Sequence, residues 1–415
     1  MMNPLTGVRV LDLSRALAGP LCTSLLADLG ADVIKIERLP AGDVARDWPP
    51  FDSTESLYFA SINRNKRSVA IDLRAAGVQP LLNRILDSCD VLVENFRPGV
   101  IDRFGLDLAG RKQRDGLIVA SISGFGPIGP MRDQPGLDQI VQGMSGLMSV
   151  TGSAGSPTRV GIPIVDALTG VVAAFGVAAA VAGRHASGDG THVQTSLLES
   201  ALSVMTFQSQ RFLSLGQVAE AAGNRHPTIS PYGMFGTADL PINIAVGSTD
   251  QWLALCSVLG LTELATDARF ANTADRLEHR EDLYRLLNDR LATRVAAEWI
   301  ASIRAAGVPC GPVYQMDQVF ADPQVKALEM VHNLNAVSKT DIPLMRGPLW
   351  NDGQPSSVRR PPPELGEHTI EVLRELGLSQ FDIEQLLATH TIALPHPSNH
   401  NPAAQPTCAP SEMRP

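Results

Sequence analysis

The sequence predicts an α/β fold, with a mostly parallel sheet and helices on both of its faces. Short runs of β-branched and aliphatic residues, such as Val8–Leu13 and Val33–Glu37, alternate with helical segments through the first third of the chain. The segment between these two runs, Pro20–Gly30, has Pro near its start and Gly at its end, which is typical of a helix. A second alternating pattern after residue 240 indicates a smaller α/β domain.

The first half of the chain continues this alternation. Further buried strands are predicted at Ser68–Leu73, Asp90–Glu94 and Leu117–Ser123, with a helix at Gln79–Leu86. Gly and Pro then dominate Gly124–Gly136, which predicts a loop. Helices are predicted near Gln139–Met148, in the apolar run after Asp166, and through Val193–Leu215.

The second half gives a shorter set of elements before the pattern ends. The predicted strands are Ile242–Val246 and Val308–Tyr314, and the predicted helices are Asp250–Leu259, Leu283–Thr293, Ala296–Ala306, His368–Leu376 and Asp382–His390. From Ala393 the chain is rich in Pro, Asn, His and Ser, which is typical of a disordered tail.

Composition excludes several classes of protein. A chain of 415 residues, 44% of them hydrophobic, can bury a large core, and a net charge of −9 argues against a general nucleic-acid surface. The five cysteines are far apart, so neither a disulfide framework nor a metal site is indicated. We find no signal peptide, and the most apolar run, Ala167–Ala182, is short for a bilayer span. These features predict a cytoplasmic protein without membrane or nucleic-acid partners.

A GxGxxG pattern at Gly124, Gly126 and Gly129 suggests dinucleotide binding at first sight. That fingerprint needs a helix to begin there, so that the helix amino end meets the pyrophosphate. Pro127 and Pro130 prevent such a helix. A nicotinamide enzyme is therefore disfavoured.

Basic residues flank three of the predicted strands. Arg38 follows Val33–Glu37, Lys66 and Arg67 lie just before Ser68–Leu73, and the ENFRPG segment follows Asp90–Glu94. Carboxyl ends of parallel strands meet at one edge of a sheet, where open α/β folds bind ligands. The convergence predicts an anionic ligand there, although basic clusters on loops are often only solvated surface.

Asp166 is the only charged residue between Val160 and Gly183. One interpretation is that it caps the helix that follows, since Asp is a favoured N-cap. The other is chemical, because apolar surroundings make a carboxylate a competent nucleophile. The two interpretations are compatible.

Several motifs carry a family resemblance. The segments GVRVLDLSRALAGPLCTSLLADLGADVIKIER, NRNKRSVAIDL, DVLVENFRPGVIDRFGLD, SISGFGPIGP and TRVGIPIVDALTG, in this order, resemble the class III CoA-transferases of the formyl-CoA transferase and carnitine CoA-transferase type. The resemblance extends from about Leu5 to His390. It implies a Rossmann-like large domain, a smaller α/β domain and an interlocked homodimer.

The resemblance also sets the expected domain boundaries. These are 1–200 for the first part of a large CoA-binding domain, 201–224 for a linker helix, 225–325 for the small α/β domain, 326–392 for the return to the large domain and 393–415 for the disordered tail.

By the same resemblance, Asp166 matches the family's catalytic aspartate, which forms an aspartyl anhydride and then an aspartyl-CoA thioester. CoA or acyl-CoA is then a substrate and no cofactor is permanently bound. The expected CoA contacts are Leu17, Ala18, Arg38, Ile71 to Arg74, Asn95, Phe96, Arg97, Arg103 and the loop Pro135 to Asp138, with Lys66 and Arg67 assisting. The arginines would supply the positive charge that the phosphates of CoA require.

The implied function is transfer of CoA from an acyl-CoA donor, such as succinyl-CoA, to a carboxylic acid. Two alternatives stay open: a 2-methylacyl-CoA racemase or epimerase, and a non-catalytic CoA-binding protein. Related racemases place His directly before the position of Asp138, and this chain has Leu137 there. Because racemisation needs two positioned acid/base groups, that substitution disfavours it.

A last segment concerns the choice of acid. The glycine-rich loop of formyl-CoA transferases has no counterpart between Gly223 and Gly247, where this chain reads GNRHPTISPYG. We predict that Arg225 or His226, with Tyr232 beside them, holds one end of a succinate-like acid. The competing interpretation is that these residues only order a turn.

Overall fold

The structure is a computed structural model that describes residues 3–52, 55–334 and 342–395. The tail predicted to be disordered lies outside the described residues from residue 396 onward. The chain forms two compact units. A large unit contains Met1–Val141, Pro163–Val204 and Met330–Pro415, and a small unit contains Gln142–Ile162 and Met205–Glu329. The domain boundaries expected from the sequence stay a prediction beside this division.

The strands run in chain order as follows: β1 Arg9–Asp12, β2 Asp32–Arg38, β3 Phe51–Asp52, β4 Glu55–Ser56, β5 Lys66–Ile71, β6 Val91–Glu94, β7 Ile118–Ser123, β8 Gly152–Ser153, β9 Ser156–Pro157, β10 His192–Ser196, β11 Tyr232–Phe235, β12 Ile242–Ala245, β13 Cys310–Pro312, β14 Val331–Leu334, β15 Ile342–Met345, β16 Trp350–Asn351 and β17 Gln354–Pro355.

The helices are α1 Ala18–Asp28, α2 Leu57–Ser61, α3 Val78–Asp87, α4 Leu108–Arg114, α5 Asp138–Met144, α6 Leu147–Val150, α7 Ile164–Ser187, α8 Leu197–Val204, α9 Thr206–Leu215, α10 Thr249–Leu259, α11 Thr273–Glu278, α12 Arg280–Leu291, α13 Ala296–Ala305, α14 Met316–Ala321, α15 Pro323–Ala327, α16 Thr369–Glu375 and α17 Gln380–Ala388.

The centre of the large unit is a six-stranded sheet in the order β10-β7-β6-β1-β2-β5, in which every neighbouring pair is parallel. The predicted α/β class with a mostly parallel sheet is confirmed. The strand order reverses between β1 and β6. In open α/β sheets, such a reversal separates the loops that follow the two strands and leaves a crevice between them for a ligand.

Side chains of the sheet alternate between its two faces, and the two faces differ in chemistry. One face carries Leu11, Ile34 and Val69, which pack into a hydrophobic core with α3, α16 and α17. The opposite face, nearer α1, carries Asp12 and Lys35 at buried positions. Buried charges in a sheet are costly unless they are paired, so their position indicates a specific task.

One predicted helix is wrong at its start. The sequence predicted helix from Val193, but His192–Ser196 forms strand β10, which pairs with β7 at the edge of the sheet. Val193 and Thr195 are β-branched and lie two residues apart, so they suit a strand facing α7 and the core. Helix begins only at Leu197.

Helix α7 is the longest apolar element of the large unit. By length and composition it could cross a membrane, a criterion that core helices of soluble proteins also meet. Seven of its residues are buried, and it packs closely against α1. Gly170 makes this approach possible, because a Cβ there would lie 2.7 Å from the carbonyl oxygen of Ala18.

The small unit has its own core. Strands β11, β12 and β13 form a three-stranded antiparallel sheet. Trp252, Phe270 and Trp299 are almost completely buried beside this sheet, among aliphatic residues of α10, α12 and α13. The smaller α/β domain that the sequence predicted after residue 240 thus exists as a separately packed body.

Candidate active site

Asp166 lies in the first turn of α7, on a partly buried surface. The helix begins at Ile164, two residues before Asp166, so the expectation that Asp166 is its N-cap is wrong. The residue at the N-cap position is Pro163, whose side chain has no acceptor, and it makes no capping hydrogen bond. The amino end of α7 therefore needs an acceptor from elsewhere.

Asp138 supplies that acceptor. Its Oδ1 accepts hydrogen bonds from the backbone N–H of Val165 at 2.8 Å and of Asp166 at 3.3 Å. Asp138 is itself buried and is the first residue of α5. Two carboxylates from distant positions in the sequence are thus brought together at one helix terminus.

The environment changes the acidity of Asp166. Burial, and then the negative charge of Asp138, raise its pKa from 3.8 to about 7. Both factors penalise the ionised form, because charge is poorly solvated there and a second negative charge repels it. A carboxylate with this pKa is still about half ionised at neutral pH and is more basic than an ordinary aspartate, which suits a nucleophile.

Tyr58 is a neighbour that the sequence analysis missed. It lies on the short helix α2, with its ring edge-on to Trp48 at 4.9 Å between centroids. Burial, together with the charges of Asp166 and Asp138, raises the pKa of Tyr58. The neutral phenol is therefore available as a hydrogen-bond donor near the two carboxylates. No pattern in the sequence around Tyr58 pointed to this position.

The loop after β1 and the segment after β6 meet at the reversal of strand order. Leu17 is the last residue of this loop and Ala18 is the first of α1, and both are buried. The side chain of Asn95 accepts a hydrogen bond from the N–H of Arg15 at 3.0 Å and donates one to its carbonyl at 2.7 Å. Asn95 thus holds the loop that carries two other predicted CoA contacts. Two segments to which the resemblance assigns CoA contacts are therefore adjacent in the structure.

Buried charged side chains also form hydrogen bonds to the backbone of the same loop. The ammonium of Lys35 donates to the carbonyl of Ser14 at 2.8 Å and lies 2.8 Å from Asp43, whose other oxygen accepts from the N–H of Ala16 at 3.0 Å. Burial alone would raise the pKa of Asp12, but the ammonium groups of Lys35 and Lys66 lower it to about 2. These charged side chains are buried, and of them the sequence analysis named only Lys66, as an assisting CoA contact.

Four of the predicted arginines, Arg38, Arg74, Arg97 and Arg103, are exposed, and the described residues provide no salt bridge to any of them. Arg38 is the last residue of β2 and lies opposite Ile71 at the carboxyl end of β5. The unpaired guanidinium group of Arg38 at this edge is available to phosphate.

Two of the apolar residues predicted to contact CoA, Ile71 and Phe96, pack against other residues of the protein. The side chain of Ile71 is completely buried in the core, so only its backbone reaches the sheet edge. Phe96 packs against Phe104 at 5.9 Å between ring centroids and is partly buried. These residues shape the edge, and Ile71 offers a ligand no side-chain surface.

Lys66 and Arg67 do not join this edge, and their predicted convergence with Arg38 is wrong. Both lie inside β5 at its amino end, opposite Val33 and Ile34. Lys66 is fully buried and bonds to Asp12 at 3.1 Å, while Arg67 bonds to Asp32, Glu371 and Glu375. The strand begins two residues earlier than the sequence predicted and includes both cations. They lie at the amino end of β5, whereas Arg38 lies at the carboxyl end of the parallel strand β2, so they face opposite edges of the sheet.

Arg225, His226 and Tyr232 lie together in the small unit. They line a cleft of about 530 Å³, and the rings of His226 and Tyr232 are 5.0 Å apart. Arg225 is paired with Glu281 and lies over the ring of Tyr284. Burial lowers the pKa of His226, so its ring is mainly neutral at pH 7. As a cation, Arg225 is therefore the better candidate for a carboxylate.

In the described part of the chain, no group of three or more His, Cys, Asp and Glu side chains could hold a metal ion.

Comparison with known proteins supplies the family. The model of CoA-transferase family III matches residues 5–369. The chain is 37% identical over 382 residues to "Succinate--glutarate CoA-transferase" of Agrobacterium fabrum, covering 90% of this chain and 96% of that protein. It is 38% identical over 398 residues to "Succinyl-CoA:glutarate CoA-transferase" of Mus musculus, covering 94% and 91%.

A solved structure agrees with these relatives. A CAIB/BAIF family protein from Brucella suis is 35% identical and superimposes with a TM-score of 0.80 over 91% of this chain and 100% of that one. The match covers nearly the whole chain in sequence and in fold. The chain belongs to CoA-transferase family III and is a class III CoA-transferase.

Proposed function

We propose that the enzyme moves CoA from an acyl-CoA donor to a carboxylic acid by covalent catalysis on Asp166. The carboxylate, partly buried in the first turn of α7 with a pKa of about 7, is the observation that carries this proposal. An ionised carboxylate with little solvation attacks a thioester carbonyl more readily than a fully hydrated one does.

The reaction then proceeds in four balanced steps. Asp166 attacks the acyl carbonyl and expels CoA thiolate, which leaves a mixed anhydride. The thiolate attacks the side-chain carbonyl of Asp166, releases the donor acid and leaves an aspartyl-CoA thioester. The acceptor carboxylate attacks this thioester and expels the thiolate again. The thiolate finally attacks the acceptor's acyl carbonyl and restores the Asp166 carboxylate.

In each step one anion attacks and another leaves, and no proton is transferred. The reaction therefore needs no general base. Each step expels an anion of moderate basicity, and the thioester's free energy is kept in the anhydride and then in the product. Arg38, Arg74, Arg97 and Arg103 would bind the phosphates of CoA, with Leu17, Ala18, Asn95 and Phe96 shaping the site. Placing the reacting groups together is itself worth several kcal/mol, roughly 7 or more in well-oriented cases.

Succinyl-CoA is the donor we propose to test first. Two relatives that cover most of the chain are named for succinate or succinyl-CoA and glutarate. A dicarboxylic acid has a second carboxylate that needs a cation and donors. We assign that role to Arg225, with His226 and Tyr232 as hydrogen-bonding neighbours in the same cleft.

We also propose that the enzyme acts in the cytoplasm as a homodimer. Exposed apolar side chains on α7, among them Val171 at 49% and Phe175 at 75%, support association, since contiguous exposed apolar surface commonly marks an interface. The mass of the native particle in sedimentation equilibrium tests the dimer.

The experiment for the covalent step is mass spectrometry of protein incubated with succinyl-CoA. We expect a CoA adduct on the peptide that contains Asp166, and no adduct in Asp166→Asn. Asp189→Asn, which changes an exposed aspartate just beyond the other end of α7, is the matched control and should keep the adduct. Arg225→Ala should reduce adduct formation from succinyl-CoA more than from acetyl-CoA.

Two results would reject the proposal. CoA binding without an adduct from any acyl-CoA would favour a binding protein. Deuterium entering the α-carbon of a 2-methylacyl-CoA in deuterated water would favour a racemase, because only deprotonation and reprotonation at that carbon introduces it.

A further inference from the structure

Helix α7 has no N-cap side chain of its own at its amino end, where Asp166 lies. The first N–H groups of any helix have no partner within the helix, and an N-cap side chain normally accepts from those at the second and third helical positions. In α7 these positions are Val165 and Asp166, and Pro163 at the N-cap offers no side-chain acceptor.

The acceptor comes from a residue 27 positions earlier in the chain. Asp138 Oδ1 lies 2.8 Å from the nitrogen of Val165 and 3.3 Å from that of Asp166, the two positions an N-cap would serve. Asp138 is buried at the start of α5, so its carboxylate is held in place by the fold.

We propose that Asp138 is a positioning residue for Asp166: its carboxylate takes the place of the N-cap of α7 and fixes the backbone from which the Asp166 carboxylate projects. This inference rests on the proposed function, since it gives Asp138 a task in the chemistry of Asp166. It goes beyond the sequence expectation, which placed Asp138 among the CoA contacts.

The position of Asp138 has two consequences that can be separated. Its oxygen acts as a hydrogen-bond acceptor, which an amide can also be. Its negative charge acts on Asp166 nearby, which an amide cannot imitate. Asp138→Asn therefore keeps the acceptor and removes the charge, whereas Asp138→Ala removes both.

The first measurement is hydrogen exchange at the amides of Val165 and Asp166 in the complete enzyme. We expect both to be protected in the wild type and in Asp138→Asn, and to exchange about tenfold faster in Asp138→Ala. This readout does not depend on turnover, so it tests the cap even if Asp166 proves not to be the nucleophile.

The second measurement is the pH profile of kcat/KM for CoA transfer. In Asp138→Asn the acidic limb should move to lower pH, because Asp166 loses a neighbouring negative charge and ionises more easily. In Asp138→Ala we expect kcat to fall at least tenfold with a smaller change in KM. Asp189→Asn should leave the acidic limb in place.

The outcomes distinguish the inference from the proposed function. Equal amide exchange in Asp138→Ala and wild type would overturn the cap. An acidic limb that stays in place in Asp138→Asn would overturn the influence of the charge. No aspartyl adduct in the wild type, with amide protection lost in Asp138→Ala, would reject the proposed function and retain the structural cap.

Discussion

Asp166 connects the chemistry of the site to the stability of the fold through a single ionisation. Its pKa is about 7 in the folded protein, compared with 3.8 for an unperturbed aspartate. The folded state therefore favours the protonated carboxyl more strongly than the unfolded chain does. The stability that this preference gives is fully present below about pH 3.8 and is lost as the pH rises through 7.

The first prediction follows from that sign. Asp166→Asn removes the ionisation, so the variant should become more stable than the wild type as the pH rises from 5 to 8, and the difference should level off above pH 8. The full pKa difference corresponds to at most about 4 kcal/mol, and partial solvent access reduces this to roughly 2 kcal/mol. Urea unfolding at a series of pH values measures the difference.

A second substitution checks this explanation. Asp166→Ala removes the same carboxyl group, so its stability relative to the wild type must show the same dependence on pH, whatever constant offset the helix adds. A difference that is constant from pH 5 to pH 8 in both variants would show that ionisation of Asp166 is not the cause.

The individual residues also show what a sequence can and cannot predict. Asp166 stood out because it is the only charge in an apolar run, and this contrast is visible in one dimension. Asp138 and Tyr58 lie 28 and 108 positions away along the chain and meet Asp166 only through folding, so nothing local distinguishes them. The resemblance predicted Asp138 as a CoA contact and gave no indication of a cap.

At the scale of single elements, the loop between β1 and α1 is the part of the site held most firmly. Asn95 bonds to the backbone N–H and carbonyl of Arg15. Lys35 of β2 bonds to Ser14, and Asp43, which follows β2, bonds to Ala16. Ala16 has a φ of +69°, a left-handed conformation that costs a non-glycine residue energy. The hydrogen bonds around it offset that strain.

We therefore predict a binding effect for Asn95→Ala. The loop loses its two hydrogen bonds to the Asn95 side chain. KM for acyl-CoA should therefore rise about tenfold, with kcat changed less than threefold. Steady-state kinetics with the same donor measures both. Asn83→Ala is the control, because Asn83 accepts from Arg111 away from this loop and its loss should leave KM unchanged. Equal rises in KM for the two variants would contradict the positioning role.

Two further elements show why local patterns mislead. The GxGxxG pattern is a backbone crossing: Gly124 packs against Gly136, and a Cβ on Gly124 would lie 2.5 Å from the Cα of Gly136. No helix begins in the loop until Asp138. Gly124 is required by packing between two backbone segments, whereas Gly126 and Gly129 have φ of +96° and +91°, a conformation that favours glycine. Lys66 and Arg67 resembled loop cations because the strand start could not be located within two residues.

At the scale of the whole molecule, later segments of the chain cover one edge of the central sheet. β5 is an edge strand of the large unit, and its free polar groups would invite pairing with another chain. The N–H of His368 bonds to the carbonyl of Ser68 at 2.9 Å, and Ile392 forms an antiparallel bridge with Ile71. Segments from the end of the chain thus cover an edge made near its beginning.

The sequence could predict the class of this architecture but not its register. Strand and helix periods are local, so the alternation, the parallel sheet and the small domain followed from them. Strand order and the face on which each charge lies depend on pairing between distant segments. Arg67 shows this: alternation turns its side chain toward α16, where Glu371 and Glu375 bind it, and no local signal names those partners.

Thr369 tests how much the closing of the sheet contributes to stability. Its buried hydroxyl accepts from the N–H of Ala70 at 3.1 Å and donates to the carbonyl of Gly366 at 2.8 Å. Thr369→Val keeps the volume but leaves the N–H of Ala70 without its partner inside the protein. We expect a loss of about 1–3 kcal/mol in the free energy of unfolding, measured in urea.

Thr389→Val is the matched control, because its hydroxyl is exposed and accepts or donates only near the end of α17. It should change the free energy of unfolding by less than about 0.5 kcal/mol. If both variants lose the same stability, the hydroxyl of Thr369 has no special part in closing the sheet. If Thr369→Val alone is destabilised and also self-associates in sedimentation, the C-terminal segment protects the β5 edge from pairing with other chains.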